Sequence, residues 1–248
     1  RGDQAVVCAV KLYTMNKIIF IPVILFALCV HMAGCKKDNA KKEYCRITKL
    51  IKNGNEEIDI KYGDNEKVSA IENMVTKELS TYKYSKDTVF ITASKNGNFI
   101  YKLIVTNNKD HLASNVMMEW SPVAWVNQAF TYEGKRIVNN KATNADGETE
   151  SASYIWENGN IDVLVNEQET IHYEYYTDKN FQDGDFHAIQ QLLAGYRIYE
   201  YKNLVKSSGT PNPSTYYTYI FDEQGRVAEA TATKNNNVTS FKIEYDCQ

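Results

Sequence analysis

The sequence predicts an all-β protein: a long antiparallel meander of repeated hairpins, curled or closed into a barrel-like sheet, with one short helix. Three observations carry this. Among 248 residues there are 18 Tyr and 9 Phe but only 4 Pro, set among many Thr, Ile and Val, the residues that fit a pleated surface. Tight-turn pairs recur at Asn53-Gly54, Asn96-Gly97 and Asn158-Gly159. A short unit also repeats. Its clearest copy is Tyr219-Ile-Phe-Asp-Glu-Gln-Gly225-Arg226-Val227, with imperfect copies at Ile60–Val68, Phe130–Ile137 and Tyr154–Ile161. The run Ile91–Ile100 keeps the turn and loses the aromatics.

The spacing explains the unit. Residues i and i+2 share one face of a strand, so Tyr219 and Phe221 cover the same side, and Gly225 supplies the positive φ of a short turn. The flanking acid and base pair across the hairpin for about 0–1 kcal/mol. One hairpin cannot bury its apolar face alone, so neighbours must pair side by side.

Taken in order, the chain begins with an address. Residues 1–14 precede a plausible start at Met15 and carry no export logic, so they are excluded from the natural product. Residues 15–34 have the layout of a signal peptide: Lys17, an apolar run from Ile18 to Val30, then Met32-Ala33-Gly34 before Cys35. Ile18 to Ala33 is shorter than the ~20 residues that span a bilayer. The pattern resembles the lipobox of bacterial lipoproteins, with Met32 in place of the usual Leu. That resemblance implies cleavage before Cys35 and acylation of Cys35, a firm anchor when several chains are attached. Residues 35–45 read as a charged, lipidated tether.

Residues 46–248 form the all-β domain. Strands are expected at 46–52, 57–63, 67–73, 79–84, 88–95, 99–106, 112–119 and 125–132, then at 136–143, 150–157, 160–165, 170–177, 196–205, 214–222, 226–233 and 238–246. The only helix is expected at Asp185–Gly195, where Asp185 caps the first amides, Gly195 suits the end, and Phe186, Ile189, Leu192 and Leu193 share a face. A meander beyond about ten strands tends to curl or close, and closure removes exposed edges. Closure would also bring Cys45 and Cys247 together, a candidate disulfide in an oxidising compartment. Charge on both faces of Arg226–Thr231 argues against an unbroken lipid-facing band.

The hairpin units resemble Tyr-Asp/RHS-type repeats. The whole layout is similar to a family of secreted Bacteroidetes lipoproteins of unknown function, described as having a porin-like all-β fold. That family implies no catalytic residues.

The chemistry-bearing residues are sparse. Net charge is −3 with no basic face, so nucleic acid is not expected as a partner. His111, His172 and His187 lack metal-ligand spacing, and Asp183-Gly184-Asp185 lacks the downstream acid of a calcium loop, so no metal or cofactor is expected. Glu167 and Glu169 read as exposed turn residues rather than an acid–base pair. Tyr173, Tyr175, Tyr199 and Tyr201 would form an aromatic wall if their strands are neighbours, suited to a small apolar or carbohydrate ligand; ordinary cross-strand packing is the commoner reason for such spacing. The expected function is a non-catalytic, ligand- or partner-binding lipoprotein of the cell envelope. It would be lipid-anchored to the outer membrane on its periplasmic or surface face. The alternatives are a structural scaffold component of an outer-membrane assembly and, third, an envelope hydrolase.

Overall fold

In a computed structural model of the chain, residues 44–210 and 212–247 are described; the leader, Cys35 and all but the end of the tether lie outside them. The strands of the first half are β1 (Cys45–Lys52), β2 (Glu56–Tyr62), β3 (Val68–Asn73), β4 (Glu78–Ser85), β5 (Thr88–Lys95), β6 (Asn98–Asn107), β7 (Ala113–Ser121) and β8 (Ala124–Glu133). There follow β9 (Arg136–Asn144), β10 (Thr149–Glu157), β11 (Asn160–Asn166) and β12 (Thr170–Asn180), then helix α1 (Phe186–Ala194). The chain ends with β13 (Asn203–Gly209), β14 (Thr215–Phe221), β15 (Val227–Lys234) and β16 (Asn237–Cys247). Each strand pairs antiparallel with the next, and β1 pairs with β16 to close the barrel.

Tight turns make this possible. Asn53, Asn96 and Asn158 adopt φ of 50°, 52° and 52° at hairpin tips, the left-handed geometry that matches the twist of paired strands. The repeat acquires a geometric meaning as well. In all four segments aligned above, the ladder slips by one residue just before the last aromatic. The shifts fall at Lys61/Tyr62, Thr131/Tyr132, Ile155/Trp156 and Ile220/Phe221. Such a bulge bends the strand end and re-aims its side chain. Tyr62, Tyr132 and Trp156 thereby reach the preceding strand, where they donate to the carbonyls of Ile47 in β1 (2.8 Å), Ala113 in β7 (2.7 Å) and Ile137 in β9 (2.6 Å).

Along each strand the faces alternate. In β2, Ile58 and Ile60 are buried, while Glu57, Asp59 and Lys61 face away and pair with Lys49 and Glu72 on neighbouring strands. The same outer face carries Lys95–Glu78 (3.0 Å) and Lys102–Glu119 (3.7 Å), and sets Glu229 opposite Lys242. The lumen holds one continuous apolar cluster that includes Leu50, Ile91, Ile137, Ile189, Leu204 and Phe241. Sixteen-stranded porins enclose an aqueous channel and show an apolar band to lipid. Here the lumen is apolar, and the outer face mixes those ion pairs with exposed apolar side chains such as Phe90, Ile155 and Ile220.

One element departs from expectation. Alternation predicts a strand over 196–205, but β13 begins only at Asn203 and continues to Gly209. The reason is where the backbone finds partners. The amides of Ile198 and Tyr199 donate to the Gln191 side chain (2.7 and 3.2 Å), the Arg197 carbonyl accepts from Ala113 in β7, and the Lys202 amide donates to Gly159. Residues 196–202 therefore run as an extended strap touching several hairpins and do not join the ladder.

Candidate functional site

The β12–β13 connection builds the site. In a closed meander, every even-to-odd connection from β2–β3 to β14–β15 lies at the end that carries both Cys45 and Cys247. Here that end is stoppered. Gly184 sits against β15 and β16, where an added Cβ would fall 2.7 Å from both Val227 Cβ and the Tyr245 hydroxyl. From there α1 crosses the lumen to Gly195, at φ 84°. A Cβ at Gly195 would meet Ile91 Cδ1 at 2.4 Å and the Tyr82 ring at 3.0 Å. Neither close approach leaves room for a side chain. The strap then returns by β7, β8 and the β10–β11 hairpin.

Asp185 and His187 fix the stopper from beneath. Asp185, fully buried, accepts from the amides of His187 (2.9 Å) and Ala188 (3.3 Å) as the helix cap. Its second oxygen accepts from the Val205 amide (3.2 Å) and the Tyr219 hydroxyl (2.8 Å). The His187 ring lies between two tyrosines, Nδ1 to the Tyr201 hydroxyl and Nε2 to the Tyr217 hydroxyl, each at 3.0 Å. Tyr217 in turn meets Ser208 Oγ at 3.2 Å. This chain of hydroxyls and imidazole is buried and ties α1 to the strap, β13 and β14.

Burial pushes His187 below its usual 6.5, because an imidazolium loses hydration there. The same desolvation pushes Tyr62 and Tyr154 up to about 12 from 10.0. The neutral imidazole is the form the fold favours, so its contribution is complete above pH 6.5 and is lost as pH falls below it. The neutral phenols contribute fully below pH 10 and are lost as pH rises towards 12. The thermal midpoint should therefore be flattest between these limits. The acid limb should be shallower in His187→Gln; an unchanged acid limb would remove His187 from this account.

The four tyrosines expected as a wall do converge. Tyr175 and Tyr201 lie 5.3 Å apart between ring centroids and Tyr199 and Tyr201 4.8 Å, while Tyr173 meets the His187 ring edge-on at 6.1 Å. They do so around the stopper, with Tyr199 and Tyr201 contributed by the strap and not by a strand. Tyr201 is only 4% exposed, and Tyr175 donates to the Ile161 carbonyl at 2.7 Å. Ring packing inside the barrel accounts for them. Cys45 and Cys247 are register partners of β1 and β16, and their sulfurs are bonded. The Arg226 guanidinium lies against both, 3.0 Å from Cys45 Sγ, and also holds Asp222 at 2.7 Å.

Between α1 and β1–β5 the stopper leaves an open pocket of about 570 Å³. Ile47, Val68, Val89 and Leu192 give it an apolar floor, and Arg46, Lys67, Lys86 and Arg197 are among its polar groups. Sequence reasoning missed this site. Its residues come mostly from the consecutive strands β1–β5 and from the β12–β13 connection laid against them, and the one motif among them, the repeat copy Ile60–Val68, marks a hairpin and not a pocket. Among the described residues no group of three or more His, Cys, Asp or Glu is placed to hold a metal ion.

No known protein family matches the sequence, and no curated protein does. Solved structures do resemble the fold. A porin-like protein from Bacteroides uniformis superposes with a TM-score of 0.59 at 12% identity, covering 81% of this chain and 98% of its own. A porin-like protein from Bacteroides vulgatus gives 0.54 at 13% identity, covering 80% and 97%. At such identities the likeness establishes the porin-like barrel fold.

Proposed function

We propose that this chain is a non-catalytic barrel of the bacterial cell envelope, tethered to the outer membrane by lipid on Cys35, that binds a small ligand in its mouth. The outer face carries the proposal. Cross-strand ion pairs such as Lys61–Glu72 and Lys102–Glu119 stand where a transmembrane barrel would place its lipid-facing band, and central charges there cost about 2–4 kcal/mol each. Such a barrel stands in water and takes its membrane attachment from elsewhere, which the Met32-Ala33-Gly34-Cys35 sequence supplies. The stoppered lumen suits retention of a ligand and not passage of solutes.

The test is to replace residues 15–35 by a cleavable signal peptide without the cysteine. The wild type should incorporate labelled fatty acid and fractionate with membranes; the replaced form should appear in the detergent-free envelope extract. Membrane retention of a correctly cleaved, unlipidated form would refute the reading. Native mass spectrometry of the extracted protein should show a bound small molecule.

A scaffold role is the second reading. It rests on the opposite end, where Val75, Phe99, Trp120 and Val123 are 61%, 57%, 44% and 82% exposed on adjacent hairpin tips.

A further inference from the structure

The mouth pocket holds a feature that neither packing nor folding explains. Buried polar groups almost always find hydrogen-bond partners, because stranding one in a protein interior is costly. Among the described residues, three side-chain atoms are buried without one, Thr76 Oγ1, the Tyr82 hydroxyl and Arg46 Nε, and Tyr82 and Arg46 both line this same pocket. Tyr82 is only 9% exposed. It has no freedom to swing out to water, since its ring is pinned against Gly195 at the end of α1. Its neighbours show the contrast: Tyr62 and Tyr84, the other strand-end tyrosines of the pocket, spend their hydroxyls on the carbonyls of Ile47 and Val68, each at 2.8 Å. Arg46 Nε can only donate, and the Tyr82 hydroxyl can donate as well as accept, so an acceptor would satisfy either.

The cations of the pocket are arranged for a negative one. The Arg46 guanidinium stacks on the Tyr62 ring at 4.6 Å and the Lys67 ammonium on the Tyr84 ring at 5.0 Å. A ring face steadies a cation without neutralising it. Three acids also line the pocket: Asp183, which holds Arg197 at 3.4 Å, and Glu66 and Asp87, which like Lys67 and Lys86 are exposed residues of hairpin turns. Arg46 does pair with Asp246 at 3.0 Å, through Nη2, and its Nε takes no part in that pair. Beneath these groups Ile47, Val68, Val89 and Leu192 form the apolar floor, which asks for an apolar body.

We infer that the mouth pocket binds an amphipathic organic carboxylate: a flat apolar body lying on the floor, a carboxylate received by Arg46 and Lys67, and a second, neutral oxygen accepting from Tyr82. This rests on the ligand-binding reading above and narrows it to one chemical class.

Three probes separate the parts of the inference, each titrated calorimetrically into the lipid-free protein: 6-hydroxy-2-naphthoate, 2-naphthoate and the neutral 2-naphthamide. Both acids should bind, and the amide at least about tenfold more weakly, since tenfold corresponds to about 1.4 kcal/mol, the scale of one charge-assisted hydrogen bond. Lys67→Gln, at an exposed position, should weaken both acids and leave the amide unchanged. Tyr82→Phe should weaken only the hydroxylated acid. The unliganded Tyr82→Phe protein should unfold at the same or a higher temperature than wild type, because it loses a stranded hydroxyl and no bond. Equal binding of acid and amide would overturn the carboxylate assignment, as would Tyr82→Phe weakening both acids alike or destabilising the empty protein. Binding of none of the three would overturn it too. The broader reading is judged separately: a neutral molecule found by native mass spectrometry would sustain it while the carboxylate fails.

Discussion

Asp185→Ala is expected to destabilise the barrel by about 3–5 kcal/mol, several times the loss of an ordinary helix cap, which is about 1 kcal/mol. The difference comes from what the carboxyl serves. At an exposed N-terminus water replaces a lost cap. Here the side chain is fully buried and receives four donors from three parts of the chain: two amides of α1, the Val205 amide of β13 and the Tyr219 hydroxyl of β14. Removing it strands them where no solvent reaches, at about 1–3 kcal/mol for each group that cannot relax. Asp185→Asn should fall between. Its amide oxygen still accepts from one pair, but its NH₂ presents protons to the Val205 N–H. Guanidinium unfolding of the three proteins gives the order directly, and a loss of under about 1 kcal/mol for the alanine form would reduce Asp185 to a surface-type cap.

That hub shows where legibility in the sequence ends. Period-two alternation and Asn turns are local, so the meander, its hairpin boundaries and the helix from Phe186 were readable from short windows. Closure was only half readable: a long meander has few ways to hide its edges, the sequence left curling and closing both open, and the β1–β16 ladder decides for closing. Asp185 was legible as a cap because a cap acts on amides two and three residues away. The role of His187 was not, since its partners Tyr201 and Tyr217 lie 14 and 30 residues downstream and meet it only after the strap has crossed the mouth. The strap misled for a related reason. Tyr199 and Tyr201 have strand spacing, and only the competing claim of the Gln191 side chain on the backbone decides that the segment does not join a ladder. The mouth pocket is the extreme case: Arg46, Lys67, Tyr82 and Arg197 belong to no common motif, and they meet only where the β12–β13 connection is laid against the first strands.

Reduction of the Cys45–Cys247 bond should be the other large effect, about 5 kcal/mol by the loop-entropy relation for so long a closed loop. The two cysteines are 202 residues apart in sequence, so the bond ties nearly the whole domain into one ring and removes much of the freedom of the unfolded chain. In the folded state the same ends stay paired by the β1–β16 ladder, from Arg46 opposite Asp246 to Lys52 opposite Phe241. Cys45→Ser/Cys247→Ser should therefore still fold to the same barrel, with its denaturant midpoint lowered and its far-ultraviolet circular dichroism retained. The seam should then be the first place to open. Amides of β1 and β16 should exchange with deuterium faster in the double variant, while those of β5 and β6, remote from the seam, should follow global unfolding alone. Arg226→Lys is a useful companion: it removes the planar guanidinium that rests on both sulfurs and on Asp222, yet leaves the covalent loop intact. Its cost should be small beside that of the cysteine variants, because the entropy of the ring is untouched. If the reduced wild type unfolds at the oxidised midpoint, or if both thiols are alkylated in protein never exposed to reductant, the ring is not closed covalently and the β1–β16 ladder holds the seam unaided.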